Sequence, residues 1–182
     1  MRRSPAGASH LDCPNSTVNL QISDKEQMMG VEHAGGCLCG GVRFKVEGEP
    51  TIAGVCHCRY CQLRTGSAFA VLAYFEPDKF KLTSGEPKHY HFTSESGKDW
   101  DIKFCPKCGG TSFYQLETWG ELIGIDAGAF DPPGFWFPIN GEAFTKGKAN
   151  FVGHIDADRH YETFPGYNPV SEDEQRMATR VE

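Results

Sequence analysis

The chain has 182 residues, of which 39% are apolar, and it carries a formal net charge of -6 with an isoelectric point near 5.6. This size and composition fit one domain with its own hydrophobic core. The acidic balance argues against a general nucleic-acid-binding protein, because affinity for phosphates requires clustered Lys and Arg. The longest apolar stretches, such as residues 68–75, are too short to span a bilayer, so we expect no membrane contact.

The first 30 residues are polar and lack a sustained apolar period, which predicts a disordered extension. Arg2 and Arg3 are followed by Pro, Ser, Asn and Asp rather than by the apolar central region of a secretory signal. A cytoplasmic, reducing location is therefore the simplest expectation. Cys13 lies in this extension, away from the other cysteines, and we interpret it as a free thiol.

Beyond residue 40, short β-rich runs are separated by turns that contain Gly and Pro. In the first run, Val42, Phe44 and Val46 alternate with Arg43 and Lys45, which is typical of a half-buried strand. The same reasoning predicts further strands at residues 51–55, 69–75, 80–82, 88–93, 112–116 and 122–127.

Helix is expected in only two short places, which are the segment following Cys61 and the acidic tail from residue 171 to 182. The tail has too few apolar residues to dock strongly. The sequence therefore predicts a mainly β domain over residues 31–168, preceded by the extension of residues 1–30 and followed by a flexible tail of residues 169–182.

Seven of the eight cysteines lie in three clusters, at residues 37–39, 56–61 and 105–108. Disulfides are a weak explanation without an export signal, and metal binding explains the clustering better. In the third cluster, Cys105 and Cys108 form a C-x-x-C turn followed by Gly109. Such a turn directs two thiolates into one tetrahedral site, and glycine permits the positive φ that the turn often needs. These features predict bound zinc.

Seven thiols are too many for one zinc ion and one too few for two closed four-cysteine sites, so a division into four and three follows. Cys56, Cys58 and Cys61 can supply three ligands from one loop. The other four cysteines then close a second site between distant parts of the chain: Cys37, Cys39, Cys105 and Cys108. Structural zinc sites are closed, whereas catalytic ones keep a position open. Two purely structural zinc sites remain the alternative.

The motifs also resemble a known family. They are HAGGCLCGGVRF at residues 33–44, CHCRYC at 56–61 with Gly66 after it, and FCPKCG at 104–109. Together with GAFD at residues 128–131 and His154-Ile155, they resemble the glutathione-dependent formaldehyde-activating enzyme and centromere protein V family over roughly residues 31–165.

The resemblance implies a mainly β, Mss4-like β-tent built from small antiparallel sheets around cysteine-bound zinc. It implies two zinc ions per chain, with the four outer cysteines structural and Cys56, Cys58 and Cys61 around an exchangeable or catalytic zinc. The founding activity of the family joins formaldehyde to the thiol of glutathione, which is carbon-sulfur lyase chemistry. Glutathione or another small thiol is accordingly the expected partner.

Three thiolates would leave this zinc site with a net charge of -1, so nearby cations would help the chemistry. Arg59 and Arg64 flank the cluster and could offset this charge or bind substrate carboxylates. The alternative, that each is a solvated surface arginine, stays equally open.

The histidines and tryptophans are interpreted mainly as structural. His57 lies between two of the expected ligands, and a packed or hydrogen-bonded role is favoured over catalysis. His89 and His91 alternate along a predicted strand and are expected on its surface. The tryptophans are expected in core and turn packing, although some could line a pocket: Trp100, Trp119 and Trp136.

Two other functional classes stay open beside the lyase. One is a non-catalytic zinc-binding β module that binds a protein partner, and the other is a chromatin-associated role. The acidic charge and the absence of a basic arm weigh against the chromatin role. An open metal position beside a cavity would separate an enzyme from a binding module.

Overall fold

The computed structural model describes residues 30–132 and 135–170. The predictions for Cys13, for the extension up to residue 29 and for the helix in the acidic tail lie outside the described residues. The larger elements in chain order are β1 (Glu32–Gly36), β2 (Arg43–Glu47), β3 (Ile52–Cys56), α1 (Arg59–Thr65), β4 (Ala70–Phe75), β5 (Phe80–Ser84), β6 (Lys88–Thr93), β7 (Asp99–Phe104), β8 (Thr111–Leu116), β9 (Ile123–Asp126), β10 (Phe130–Asp131), β11 (Gly141–Ala143) and β12 (Arg159–His160). Short 3-10 turns occur at Pro77–Lys79, Glu117–Trp119, Ala127–Ala129 and Thr145–Gly147.

The strands form two sheets, which confirms the prediction of a mainly β fold. The smaller sheet has four strands in the order β10-β1-β2-β5, and all of its pairings are antiparallel. The larger sheet has eight strands in the order β12-β11-β3-β4-β9-β8-β7-β6. Its pairings are antiparallel except that β11 runs parallel to both β3 and β12. The chain between Ala143 and Arg159 provides the crossover that the parallel pair β11–β12 needs.

One hydrophobic core lies between the two sheets. Phe44 and Val46 of β2 form a cluster with Ala73 and Phe75 of β4 and Ile125 of β9, all at most 2% exposed. Burial of each such phenylalanine contributes roughly 1.5–3 kcal/mol. The alternation in β2 that predicted a half-buried strand therefore reflects one face packed against the larger sheet.

A second core lies on the opposite face of the larger sheet. Tyr74, which comes between Ala73 and Phe75 in β4, belongs to this second cluster together with Tyr114 and Trp100. Because β4 is buried on both faces, its sequence is an almost continuous apolar run. Three of the clustered cysteines also belong to this core: Cys56, Cys58 and Cys61.

All of the predicted strands occur, and their ends differ from the prediction by at most two residues. The prediction omitted β7, although Trp100, Ile102 and Phe104 alternate with charged residues there and provide a usable signal. It also omitted β1, β10, β11 and β12. These strands are short or, in β1, dominated by Gly and Ala, so their pairing depends on neighbouring strands rather than on their own pattern.

Candidate functional site

Four cysteines from two distant segments meet in one cluster. The Sγ atoms of Cys37, Cys39, Cys105 and Cys108 all lie within 4.8 Å of one another. The Sγ atom of Cys39 is 3.7 Å from those of Cys37 and Cys105. Four sulfurs bonded to one zinc ion at about 2.3 Å would be about 3.8 Å apart in tetrahedral geometry. The spacing of this four-cysteine cluster therefore fits a tetrahedral metal ion.

Two hairpin turns position these sulfurs. One turn connects β1 to β2 in the smaller sheet, and the other connects β7 to β8 in the larger sheet, so the cluster joins the two sheets. Gly40 and Gly109 have φ angles of 71° and 72°, which side chains disfavour. The backbone N–H of Val42 donates to the Sγ atom of Cys37 at 3.2 Å. Burial raises the pKa of Cys37, but this bond and the neighbouring thiols lower it to about 6.

A second cluster contains Cys56, Cys58 and Cys61, whose Sγ atoms also lie within 4.8 Å of one another. Cys56 ends β3, and Cys58 caps the N-terminus of α1 by accepting a hydrogen bond from the backbone N–H of Cys61 at 3.4 Å. Cys61 itself lies inside α1. The helix therefore begins at Arg59, before Cys61, and the expectation of a helix that follows Cys61 was wrong about its start.

The three-cysteine cluster concentrates negative charge. Hydrogen bonds from Cys56 and Cys58 hold the pKa of Cys61 well below its usual range, and the nearby guanidinium of Arg64 lowers it further. Hydrogen bonds with Cys58 and Cys61, together with burial, raise the pKa of Cys56. A thiolate held in a buried site favours a bound cation.

Arg64 and Arg59 lie in different environments. The side chain of Arg64 is only 5% exposed, forms an ion pair with Asp126 and lies with its guanidinium carbon 4.1 Å from the ring centroid of Tyr114. The surface interpretation was therefore wrong for Arg64. Arg59 is exposed on α1, where its guanidinium donates a hydrogen bond to Gln62 at 3.4 Å.

His57 is held by a buried carboxylate. Its Nε2 atom is 2.9 Å from Oε1 of Glu142, and only 1% of the residue is exposed. Glu142 also contacts Lys148 at 2.7 Å and Nδ1 of His160 at 2.6 Å. Burial raises the pKa of Glu142, but hydrogen bonds from Lys148, His160 and His57 lower it to about 2. The favoured interpretation of His57 as packed and hydrogen-bonded is confirmed.

Sequence analysis did not identify Glu142, which the chain places 85 residues after His57. It lies in β11, which pairs with β3 so that Glu142 is opposite Val55, close to the start of the cysteine loop. No local motif marks a residue whose position depends on that pairing. Glu142 thus anchors the loop between Cys56 and Cys58 through His57.

The three-cysteine cluster lies in the wall of a cavity of about 750 Å³. Trp100 and Trp119 line the same cavity, and the ring of Tyr60 packs 5.5 Å from that of Trp100. Among the described residues that line the cavity, none comes from the four-cysteine cluster. The two clusters therefore differ in their relation to this cavity, since the three-cysteine cluster lies in its wall and the four-cysteine cluster does not.

The other candidate residues, His89, His91 and Trp136, lie outside both cysteine clusters. His89 and His91 are exposed on β6, where they lie 3.2 Å from Asp101 and 3.8 Å from Asp99, so the surface interpretation is confirmed. Trp136 stacks on His33 with ring centroids 3.6 Å apart and belongs to the core between the sheets.

Both clusters present only sulfur donors. Such donors suit zinc, and also copper(I) and iron-sulfur groups, much better than magnesium or calcium. The described residues thus contain two groups of cysteines that could each hold a metal ion, one with four members and one with three. In the parts of the chain that the structure describes, no helix is long and apolar enough to cross a membrane.

The chain was compared with solved structures and with models of protein families. A crystal structure of a Rhodobacter sphaeroides protein shares 23% sequence identity with the chain, with a TM-score of 0.45, and the match covers 54% of this chain and 88% of that protein. The family model described as "Glutathione-dependent formaldehyde-activating enzyme" matches residues 32–147, which is more than half of the chain and includes both cysteine clusters. The chain therefore belongs to the glutathione-dependent formaldehyde-activating enzyme family.

Proposed function

We propose that this protein is a zinc-dependent carbon-sulfur lyase that acts on glutathione or a related small-thiol adduct, in the manner of S-(hydroxymethyl)glutathione synthase. In this proposal the three-cysteine cluster holds a catalytic zinc ion. A structural zinc ion is held by the other four: Cys37, Cys39, Cys105 and Cys108. The functional domain spans residues 31–168, and a reducing cytoplasm is the compartment that suits its free thiols.

The observation that carries the proposal is the position of the three-cysteine cluster in the cavity wall. Three protein ligands leave a fourth position for substrate, as in catalytic zinc sites, whereas four thiolates close the coordination shell. The family match adds glutathione and formaldehyde as the first substrates to test.

The chemistry needs a thiolate at neutral pH and a carbonyl carbon that it can attack. A zinc ion at this site would lower the pKa of a thiol that enters the fourth position and so make it a nucleophile. The sulfur then forms a bond to the carbonyl carbon of formaldehyde, and the proton released from the thiol ends on the carbonyl oxygen. The reverse reaction breaks the same carbon-sulfur bond.

The described residues supply the surroundings for this step. In this proposal the three cysteines bind the zinc ion. The hydrogen bond from the backbone N–H of Cys61 to the Sγ atom of Cys58 fixes the conformation of the loop, and the Arg64 guanidinium offsets negative charge at Cys61. Aromatic side chains in the cavity wall, among them Trp100 and Trp119, exclude water and so strengthen these electrostatic interactions.

The test measures adduct formation by NMR with formaldehyde and either glutathione or an uncharged thiol. The zinc-loaded protein should accelerate adduct formation with at least one thiol above the uncatalysed rate. Cys58→Ser should reduce this acceleration at least about 100-fold, since it removes one of three ligands. His89→Ala, which alters an exposed residue of β6, is the matched control and should retain full activity. A wild-type protein that accelerates none of these reactions contradicts the lyase and favours the non-catalytic binding module.

A further inference from the structure

The cavity has few charged groups in its wall, and most of them are negative. Among the described residues that line it, the charged side chains are those of Glu95, Asp158 and Arg159. When a zinc ion is bound, its three cysteine ligands are thiolates, and their combined negative charge exceeds the charge of one divalent cation. One arginine is thus the only cation in the described wall, so a ligand that brings several carboxylates finds few partners.

The carboxylate of Glu95 lies in this wall and is buried from solvent. The residue is only 2% exposed, and one of its oxygens accepts a hydrogen bond from the hydroxyl of Tyr167. Within residues 30–132 and 135–170, nothing donates a hydrogen bond to its other oxygen, Oε2. The Nζ atom of Lys146 lies 5.9 Å from the ring centroid of Tyr167. A second carboxylate brought close to Glu95 would be repelled and poorly solvated.

The rest of the wall suits an apolar group. Trp119 packs against Phe164 and Phe144 against Tyr167, in both cases with ring centroids 5.0 Å apart, and all four side chains line the cavity. Trp100 continues this surface toward the three-cysteine cluster. Burial of apolar ligand surface against aromatic side chains favours binding. These side chains cannot replace the water molecules that hydrate a carboxylate, so burial of a carboxylate there disfavours binding.

We propose that the cavity selects thiols, or thiol adducts, whose body beyond the sulfur is uncharged and aromatic or aliphatic, and that Glu95 is the residue that discriminates against carboxylates. The proposal rests on the proposed function for the sulfur end of the ligand, which binds at the three-cysteine cluster. It deepens that function by naming the substrate class. Glutathione, with its two carboxylates, is then a poor fit for the apolar part of this cavity.

The test uses two thiols that differ by a single carboxylate, benzyl mercaptan and 4-(mercaptomethyl)benzoate, titrated into the zinc-loaded full chain by calorimetry. The wild-type protein should bind benzyl mercaptan more tightly by about tenfold or more, as expected for a carboxylate left without a partner. Glu95→Gln should reduce this preference at least about threefold by tightening the binding of the carboxylated thiol. Glutamine still offers an oxygen to Tyr167, so the local packing is retained.

Glu86→Gln is the matched control, because Glu86 is exposed and lies outside the cavity wall. It should leave the preference unchanged, and circular dichroism should show that both variants are folded. If 4-(mercaptomethyl)benzoate or glutathione binds wild type as tightly as benzyl mercaptan, or if Glu95→Gln leaves the preference intact, the selectivity proposal is wrong while thiol binding stands. If no thiol binds, the proposed function and the selectivity proposal both fail.

Discussion

The two cysteine clusters differ in how far along the chain their members lie. The four-cysteine cluster brings together residues 66 positions apart, such as Cys39 and Cys105, from hairpins in different sheets. The three-cysteine cluster lies within one short loop and the first turns of α1. A metal ion in the four-cysteine cluster would close a long loop of the chain. A metal ion in the three-cysteine cluster would join residues that are already close together in the sequence.

From this difference we expect the four-cysteine cluster to contribute mainly to the stability of the fold and the three-cysteine cluster mainly to the reaction. Closing a long loop reduces the conformational entropy of the unfolded chain, and structural zinc contributes directly to the free energy of folding. A local loop needs less of this help, particularly when a buried bond such as that between His57 and Glu142 already fixes it. The local cluster is also the one that adjoins the cavity. The predictions below test whether the two sites can be separated in this way.

The largest effect is expected from Cys108→Ser. If the four-cysteine cluster holds the proposed structural zinc ion, this change removes one of its ligands and so the metal cross-link between the two sheets. We expect the protein to unfold or aggregate, because the zinc contribution of structural sites reaches about 10 kcal/mol in zinc-dependent domains. Circular dichroism and analytical size exclusion measure this outcome. Leu38→Ser, at an exposed position between two of the ligands, is the control and should remain folded. A folded Cys108→Ser protein with an unchanged melting temperature contradicts a structural role for this cluster.

A smaller effect on the fold is expected from Cys61→Ser. The variant should retain the β fold, bind the second zinc ion weakly and lose the formation of the thiol adduct. Circular dichroism, metal analysis and NMR of the hydroxymethyl adduct, formed from glutathione or from the uncharged thiol that wild type accepts, measure these three properties on the same sample. If Cys61→Ser unfolds as badly as Cys108→Ser, the second site is structural too. If it remains folded with full turnover, the three-cysteine cluster is not the reactive centre.

Metal removal should separate the sites in the unmodified protein. Purified reduced protein should hold between one and two zinc ions per chain, and a chelator should remove one of them readily, since one site is open to the cavity and the other closed. Native mass spectrometry during a chelator titration checks this. Two zinc ions that leave together, with loss of the fold, would contradict the distinction. A protein without zinc whose cysteines are paired as disulfides would contradict metal binding altogether.

The sequence predicted the partition of the cysteines because metal ligation leaves local spacing patterns, such as the turn from Cys105 to Cys108. It predicted most strands because β2 and β4 follow the burial of one or both sheet faces. It named Arg64 but left open whether this side chain is solvated, because its burial depends on the assembled sheet. It missed Asp126 and Glu142, since these residues reach Arg64 and His57 only after the sheet has formed. The cavity could likewise not be predicted from the sequence, because its wall is assembled from separate segments between residues 52 and 167.

Glu142→Gln should affect the three-cysteine site more than the four-cysteine site. It removes the charge that faces Lys148 and His160 and weakens the anchor of His57, so we expect a loss of about 2 kcal/mol in stability. Zinc affinity at the local site should fall about tenfold, as is usual when a residue that supports a ligand loop is altered. Thermal melts and competition with a zinc indicator measure both effects.

The effect of Glu142 should also depend on pH with a defined sign. Its pKa lies below its usual value of 4.5, at about 2, so its contribution to stability is complete above pH 4.5 and disappears as the pH falls toward 2. The difference in melting temperature between wild type and Glu142→Gln should therefore be largest at neutral pH and shrink through this window. A difference that is constant or that grows on acidification would show that the carboxylate is not stabilised by its partners.

The smallest effect is expected when residues 1–30 are removed. This stretch has no periodic apolar residues, and it precedes β1 and the first cysteine of the four-cysteine cluster, Cys37. Val31 is retained because its carbonyl accepts a hydrogen bond from the backbone N–H of Gly48 at 2.9 Å, which closes the end of the β1–β2 pair. The shortened protein should match the full chain in melting temperature, within about 1 °C, and in zinc content, because all seven clustered cysteines and both cores are intact. Calorimetry and metal analysis of the two proteins side by side test this. A marked fall in melting temperature with zinc content preserved would mean that the extension packs on the domain, whereas loss of one zinc ion would tie the extension to a metal site.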